Sequence, residues 1–102
     1  MNNTMNHRHA IMTPKPDKIA EIRELLIKCE KQISLKKAEG GPISWFASFD
    51  ESTNQFFVDS VFADEEALTF HQNNIGPILK GIPPLLAAPL DTTIHAIFTM
   101  AQ

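Results

Sequence analysis

The run ISWFASFDESTNQFFVDSVF, residues 43–62, decides the fold. Ile43, Trp45, Ala47 and Phe49 alternate with Ser44, Phe46 and Ser48, and a period of two is that of a strand. Phe56, Val58 and Phe62 alternate with Phe57 and Val61 in a second such run. The intervening Asp50-Glu51-Ser52-Thr53-Asn54 has the composition of a turn, which makes the two runs an antiparallel hairpin. Large apolar side chains fall on both faces of this hairpin, so the sheet that contains it needs cover on both sides.

Working outward, Gly40-Gly41-Pro42 stops whatever precedes the hairpin. Before that stop, Ile19, Ile22, Leu25, Leu26, Cys29 and Ile33 recur at spacings of three and four. This predicts an amphipathic helix over about 17–37, with Asp17 as its N-cap or in its first turn. Residues 6–13 read as a first strand, with His7, His9 and Ile11 on one side and Arg8, Ala10 and Met12 on the other. Pro14 and Pro16 break it.

Beyond the hairpin, Asp64-Glu65-Glu66 places negative charge where a helix N-terminus favours it. That second helix is expected to stop near Asn73-Asn74. Short helical pieces then start at Gly76-Pro77 and Pro83-Pro84, and residues 92–100 form a last strand rich in β-branched and aromatic residues. The order is β-α-β-β-α-β, an α+β, ferredoxin-like layout with a four-stranded antiparallel sheet. Residues 6–102 are expected to form one domain and residues 1–5 to be disordered. Helices cover one face of the sheet, and a second copy packed sheet to sheet is the economical cover for the other.

Composition narrows the functional classes. With 102 residues the chain fits one domain, and 43% hydrophobic with 21% charged residues is ordinary for a globular one. The net charge is −3, and Lys28, Lys31, Lys36 and Lys37 are interleaved with Glu21, Glu24, Glu30 and Glu39, a solvated helix face rather than a nucleic-acid footprint. Cys29 is the one cysteine, so no intrachain disulfide or cysteine-based metal cluster forms. It falls on the helix's apolar stripe, as a small buried hydrophobe. No run approaches the roughly 18 apolar residues of a membrane span, and the N-terminus carries no apolar signal core. A cytoplasmic protein is expected.

The segment from Glu39 to Leu86 resembles the antibiotic-biosynthesis-monooxygenase domain, a branch of the dimeric α+β barrels. Glu39-Gly40-Gly41-Pro42 stands near that family's helix-ending Glu-Pro-Gly, Trp45 near its strand aromatic, and residues 56–62 for its aromatic-rich third strand. The best match is Asp64-Glu65-Glu66-Ala67-Leu68-Thr69-Phe70-His71, followed by Gly76-Pro77-Ile78-Leu79 and Pro84-Leu85-Leu86. Many members carry a glutamate eleven residues before the helical histidine; that position is Ser60 here, with Asp59 on the opposite face.

The resemblance implies a cofactor-independent monooxygenase that oxidises a small aromatic, phenolic or quinol substrate with O2. Such chemistry needs a base, an apolar pocket and a means of orientation. His71 is the candidate base, because an ordinary histidine titrates near 6.5; packing at the end of its helix is the plainer alternative. Trp45, Phe70, Asn74, His9 and His95 are the candidate substrate-binding residues. Structural alternatives are a core tryptophan for Trp45, a helix stop for Asn74, and surface or interface positions for His9 and His95. His7 and His9 have a spacing that metals accept, but no third ligand is indicated, and no metal is expected. Haem, which related barrels degrade, is disfavoured because the second helix has Phe70-His71 and no tryptophan. The competing classes are an isomerase or decyclase using the same histidine, and a non-catalytic dimeric barrel that binds a small molecule or serves as a dimerisation unit.

Overall fold

Strand pairing in the computed structural model, which describes residues 5–101, follows the alternation of the sequence. The elements are β1 (Asn6–Met12), α1 (Ile19–Leu35), β2 (Ser44–Asp50), β3 (Gln55–Phe62), α2 (Glu65–Leu79), a single 3-10 turn at Pro83–Leu85, and β4 (Asp91–Ala96). The sheet order is β2-β3-β1-β4 with every neighbouring pair antiparallel. This is the ferredoxin-like β-α-β-β-α-β arrangement expected from the sequence.

The hairpin turn uses its polar residues in two ways. Asp50 Oδ1 accepts from the Ser52 backbone N–H at 2.9 Å and from the Ser52 hydroxyl at 2.7 Å. Asn54 adopts a left-handed φ of 56°, which asparagine tolerates better than most residues. The register then sets the faces. Phe56, Val58, Ser60 and Phe62 of β3 share the helix side with Phe49, Ala47 and Trp45 of β2 and with Met12, Ala10 and Arg8 of β1. Phe57, Asp59 and Val61 share the open side with His7, His9 and Ile11.

Both helices lie against the first of these faces. α1 buries Ile22, Leu26, Cys29 and Ile33, the spacing seen in the sequence. Ile22 and Leu26 meet Met12, Phe56 and Ile82, while Cys29 and Ile33 meet Ile75 of α2. Burial pushes the Cys29 thiol up to about 11, as befits a cysteine that serves as packing. No helix among the described residues is long and apolar enough to cross a membrane.

Several boundaries differ from the sequence expectations. α2 does not stop at Asn73-Asn74 but runs through Gly76 and Pro77 to Leu79. Pro77 cannot donate to the Asn73 carbonyl, yet Lys80 N–H donates to Gly76 O at 3.1 Å, so the ladder resumes just beyond it. The buried His71 and Ile75, followed by the partly buried Leu79, keep the helix on the sheet across the lost bond. Asp17 is neither the N-cap nor in the first turn of α1: Lys18 holds the cap position without a side-chain bond, and the helix starts at Ile19. β4 ends at Ala96 rather than residue 100, and Asn6–Ala96 is the last β1–β4 pair among the described residues. Of the N-terminal residues expected to be disordered, 1–4 lie outside the described residues, and the Met5 carbonyl accepts from Ile97 N–H at 2.8 Å.

Candidate active site

One row of side chains crosses the helix face of the sheet. Trp45 stands opposite Ser60, Ser60 opposite Arg8, and Arg8 opposite Ile94. Between Trp45, Ser60 and Arg8 of this row, α2 and the segment after the 3-10 turn lies a cavity of about 540 Å³. That is the size range of small-molecule sites, roughly 300–1,000 Å³. Apolar groups such as Met12, Leu26, Val58 and Leu90 make up most of the wall, and the polar groups are few: Arg8, Ser60, His71, Gln72 and Thr92, with Trp45 as an amphipathic aromatic. No carboxylate is among the lining residues.

α2 delivers His71 to this cavity. Asp64 caps the helix by accepting from Ala67 N–H at 2.9 Å, and His71, Ile75 and Leu79 then repeat at four-residue spacing on its inner face. The imidazole is 8% exposed and stands edge-on to Phe62 with ring centroids 5.0 Å apart. Its Nδ1 has no hydrogen-bond partner among the described residues. Burial, and secondarily the Arg8 charge, push His71 down to about 4, so the ring is neutral at physiological pH.

This depression links His71 to stability. The unfolded chain takes up the proton near the ordinary 6.5, the folded chain only near 4. The stability that His71 contributes by staying neutral is complete above the higher value and is lost as the pH falls toward the lower one. Over that window the loss is roughly 3 kcal/mol. Urea denaturation of wild type and His71→Leu at pH 7 and pH 4.5 should show a smaller acid loss in the variant. Equal losses would mean that His71 charges freely in the folded protein.

No protein-family model matches the chain, and no curated protein matches it in sequence. Solved structures do match in shape. Rv0793 from Mycobacterium tuberculosis superposes with a TM-score of 0.81 at 20% identity, over 97% of this chain and 100% of that one. A Caulobacter crescentus protein, provisionally named an antibiotic biosynthesis monooxygenase, gives 0.82 at 16% identity over 95% and 92%. A Nitrosomonas europaea protein of unknown function, NE2512, gives 0.76 at 24% identity over 100% and 97%. The chain has the ferredoxin-like fold of the antibiotic-biosynthesis-monooxygenase structures. Sharing that monooxygenase fold does not by itself assign chemistry, which rests on the residues the cavity holds.

Of the residues singled out in the sequence, His71 and Trp45 meet at this cavity and the others do not line it. Phe70 lies over the Gly40-Gly41 turn, so close that a β-carbon on Gly40 would come within 3.0 Å of its ring. Asn74 joins the two helices: its Oδ1 accepts from Gln32 Nε2 at 2.7 Å, and its Nδ2 donates to the Gln32 carbonyl at 3.4 Å. A helix contact, rather than a helix stop, accounts for it. His9 and His95 occupy the open face of the sheet, across β1 from the cavity.

Arg8 is the charged lining residue that sequence reasoning passed over, along with the neutral Gln72 and Thr92. None of the ion pairs among the described residues involves it. Its signal was its place on the alternating face otherwise held by Ala10 and Met12, a charge pointing into the core layer. Ser60 is buried at 6% exposure and sits on the cavity side, while Asp59 faces away from it.

Proposed function

We propose that the chain is a cofactor-independent monooxygenase that oxidises a small aromatic hydroxy compound or quinol with O2 in the cytoplasm. The observation that carries this reading is a neutral, buried histidine beside a cation in a largely apolar cavity. A neutral imidazole can accept the proton of a phenolic or benzylic donor. Arg8 then holds the resulting anion, and the dry walls strengthen that attraction. Trp45 offers a flat face for the ring and an indole N–H for orientation.

The electron balance needs nothing beyond the substrate and oxygen. The anion transfers electrons to O2, a carbon–oxygen bond forms, and the peroxide O–O bond breaks. One oxygen atom stays on the ring carbon as a carbonyl. The other leaves as water, taking one proton from that carbon and the one His71 had accepted. Oxygen uptake by the metal-free protein against a panel of hydroquinones and polycyclic phenols tests this, with incorporation of one labelled oxygen atom as the expected product signature.

The absence of a carboxylate from the cavity lining favours a second reading. Without an acid to support the imidazolium, the same histidine suits an isomerase that moves a proton and returns it, or a barrel that binds its ligand without turnover. Ligand protection with no oxygen uptake would select between these and the oxygenase.

The working unit in this reading is a homodimer formed by packing the open sheet faces together. Phe46, 56% exposed, stands on that face with Phe57, Val61 and Ile11, and β4 is exposed along its whole length. A second copy would cover them. Sedimentation equilibrium should give twice the chain mass, and Phe46→Asp should shift it toward the monomer. A wild-type monomer at micromolar concentration would refute the dimer.

A further inference from the structure

The open face of the sheet carries a second cluster of chemistry, separated from the cavity by the sheet itself. His7 and His9 alternate on β1, so both rings rise from the same side. β3 runs antiparallel beside it and places Asp59 directly opposite His9 and diagonal to His7. His7 Nε2 and His9 Nδ1 each lie 2.8 Å from the same oxygen, Asp59 Oδ1. All three potential ligand atoms fall within 4.8 Å of one another.

We propose that His7, His9 and Asp59 form a three-ligand site for a divalent first-row transition-metal ion such as Zn2+. Two imidazoles and one carboxylate are the donor set such ions take, and on the face that the dimer covers the remaining positions fall to enclosed water or a donor of the second copy. Around an ion with bonds of roughly 2.0–2.2 Å, neighbouring ligand atoms stand about 3–3.5 Å apart. His7 Nε2 and His9 Nδ1 each stand 2.8 Å from Asp59 Oδ1 and within 4.8 Å of each other, so binding needs the two rings to turn toward a common point and present the lone pairs of those nitrogens.

The surroundings hold the donors in place before any ion arrives. The His9 ring is stacked on Phe57 at 5.7 Å with an interplanar angle of 15°. Asp59 is the most enclosed of the three, its side chain 16% exposed against 37% for His7 and 33% for His9. Burial disfavours its charge, but the hydrogen bonds from His9 and His7 outweigh that and keep the carboxyl below its ordinary range. His95 faces the same side, opposite His7 in register.

The test is Zn2+ titration of the full, tag-free chain after chelator treatment, followed by calorimetry and equilibrium dialysis. One Zn2+ per chain is expected, with Mg2+ at the same concentration failing to compete. Asp59→Asn and His9→Ala should each weaken binding by at least the roughly tenfold to hundredfold that loss of an outer-shell partner costs. His71→Ala should leave it unchanged. Circular dichroism confirms that the variants are folded, and the visible spectrum of bound Co2+ should report nitrogen and oxygen ligands. Absence of stoichiometric Zn2+, or affinity unchanged in both Asp59→Asn and His9→Ala, would overturn the site.

Discussion

His71→Ala is expected to lower kcat for oxygen uptake by about 10²–10⁴-fold, the range that a positioned acid–base group contributes. The fold should survive, because the substitution opens space beside an existing cavity. The pH profile carries further information. A histidine held near 4 in the free protein is already deprotonated over the whole neutral range. The acid limb of kcat/KM should therefore fall near pH 4, not near the ordinary 6.5. Low basicity in the empty site is no bar to catalysis. The imidazolium forms only when the substrate anion is beside it, and that anion supplies the charge that burial and Arg8 otherwise withhold. Added imidazole should restore part of the variant's activity. Uptake at the wild-type rate in His71→Ala would place the base elsewhere.

Much of the architecture was legible because each element depends on a local pattern. The alternation in residues 43–62 and the three-four spacing from Ile19 to Ile33 are both short-range signals, and the strands and first helix follow them closely. Reading failed where a long-range contact outvoted a local signal. Asn73-Asn74 and Gly76-Pro77 look like a stop, but Asn74 bonds Gln32 across the helix pair, and Ile75 is 1% exposed in the core. A helix can bridge one missing hydrogen bond when its inner face is anchored on both sides of it.

The site divides along the same line. His71 and Trp45 were singled out through the family resemblance and the chemistry of their side chains, and the fold brings both to the same cavity. The role of Arg8 depends on strand register, since a slip of one residue would have put His7 or His9 at the cavity instead. The third ligand of the histidine pair was hidden for the same reason: Asp59 is 50 residues from His9 in sequence and adjacent to it only through the β1–β3 pairing.

Phe62→Ala should be among the most destabilising single changes in the chain, at about 3–5 kcal/mol. Phe62 is 0% exposed and is the largest side chain so completely enclosed. It closes the β3 end of the cavity and packs against the His71 ring. For a domain whose total stability is roughly 5–15 kcal/mol, that loss is a large share. It corresponds to a fall in Tm of roughly 15–30 °C at this chain length. Because the residue borders a cavity, water can enter the space it leaves, which places the expected cost toward the lower end of the range. Phe62→Leu, which keeps more of the volume, should lose less. The two effects of the ring are separable: at a temperature where Phe62→Ala is still folded, proton titration of His71 should move up toward the ordinary 6.5, because wetting the site removes the main cause of its depression. A destabilisation below about 1 kcal/mol would show that Phe62 is not a closed-core residue. Destabilisation without any shift in His71 would mean that other walls of the cavity keep that histidine dry.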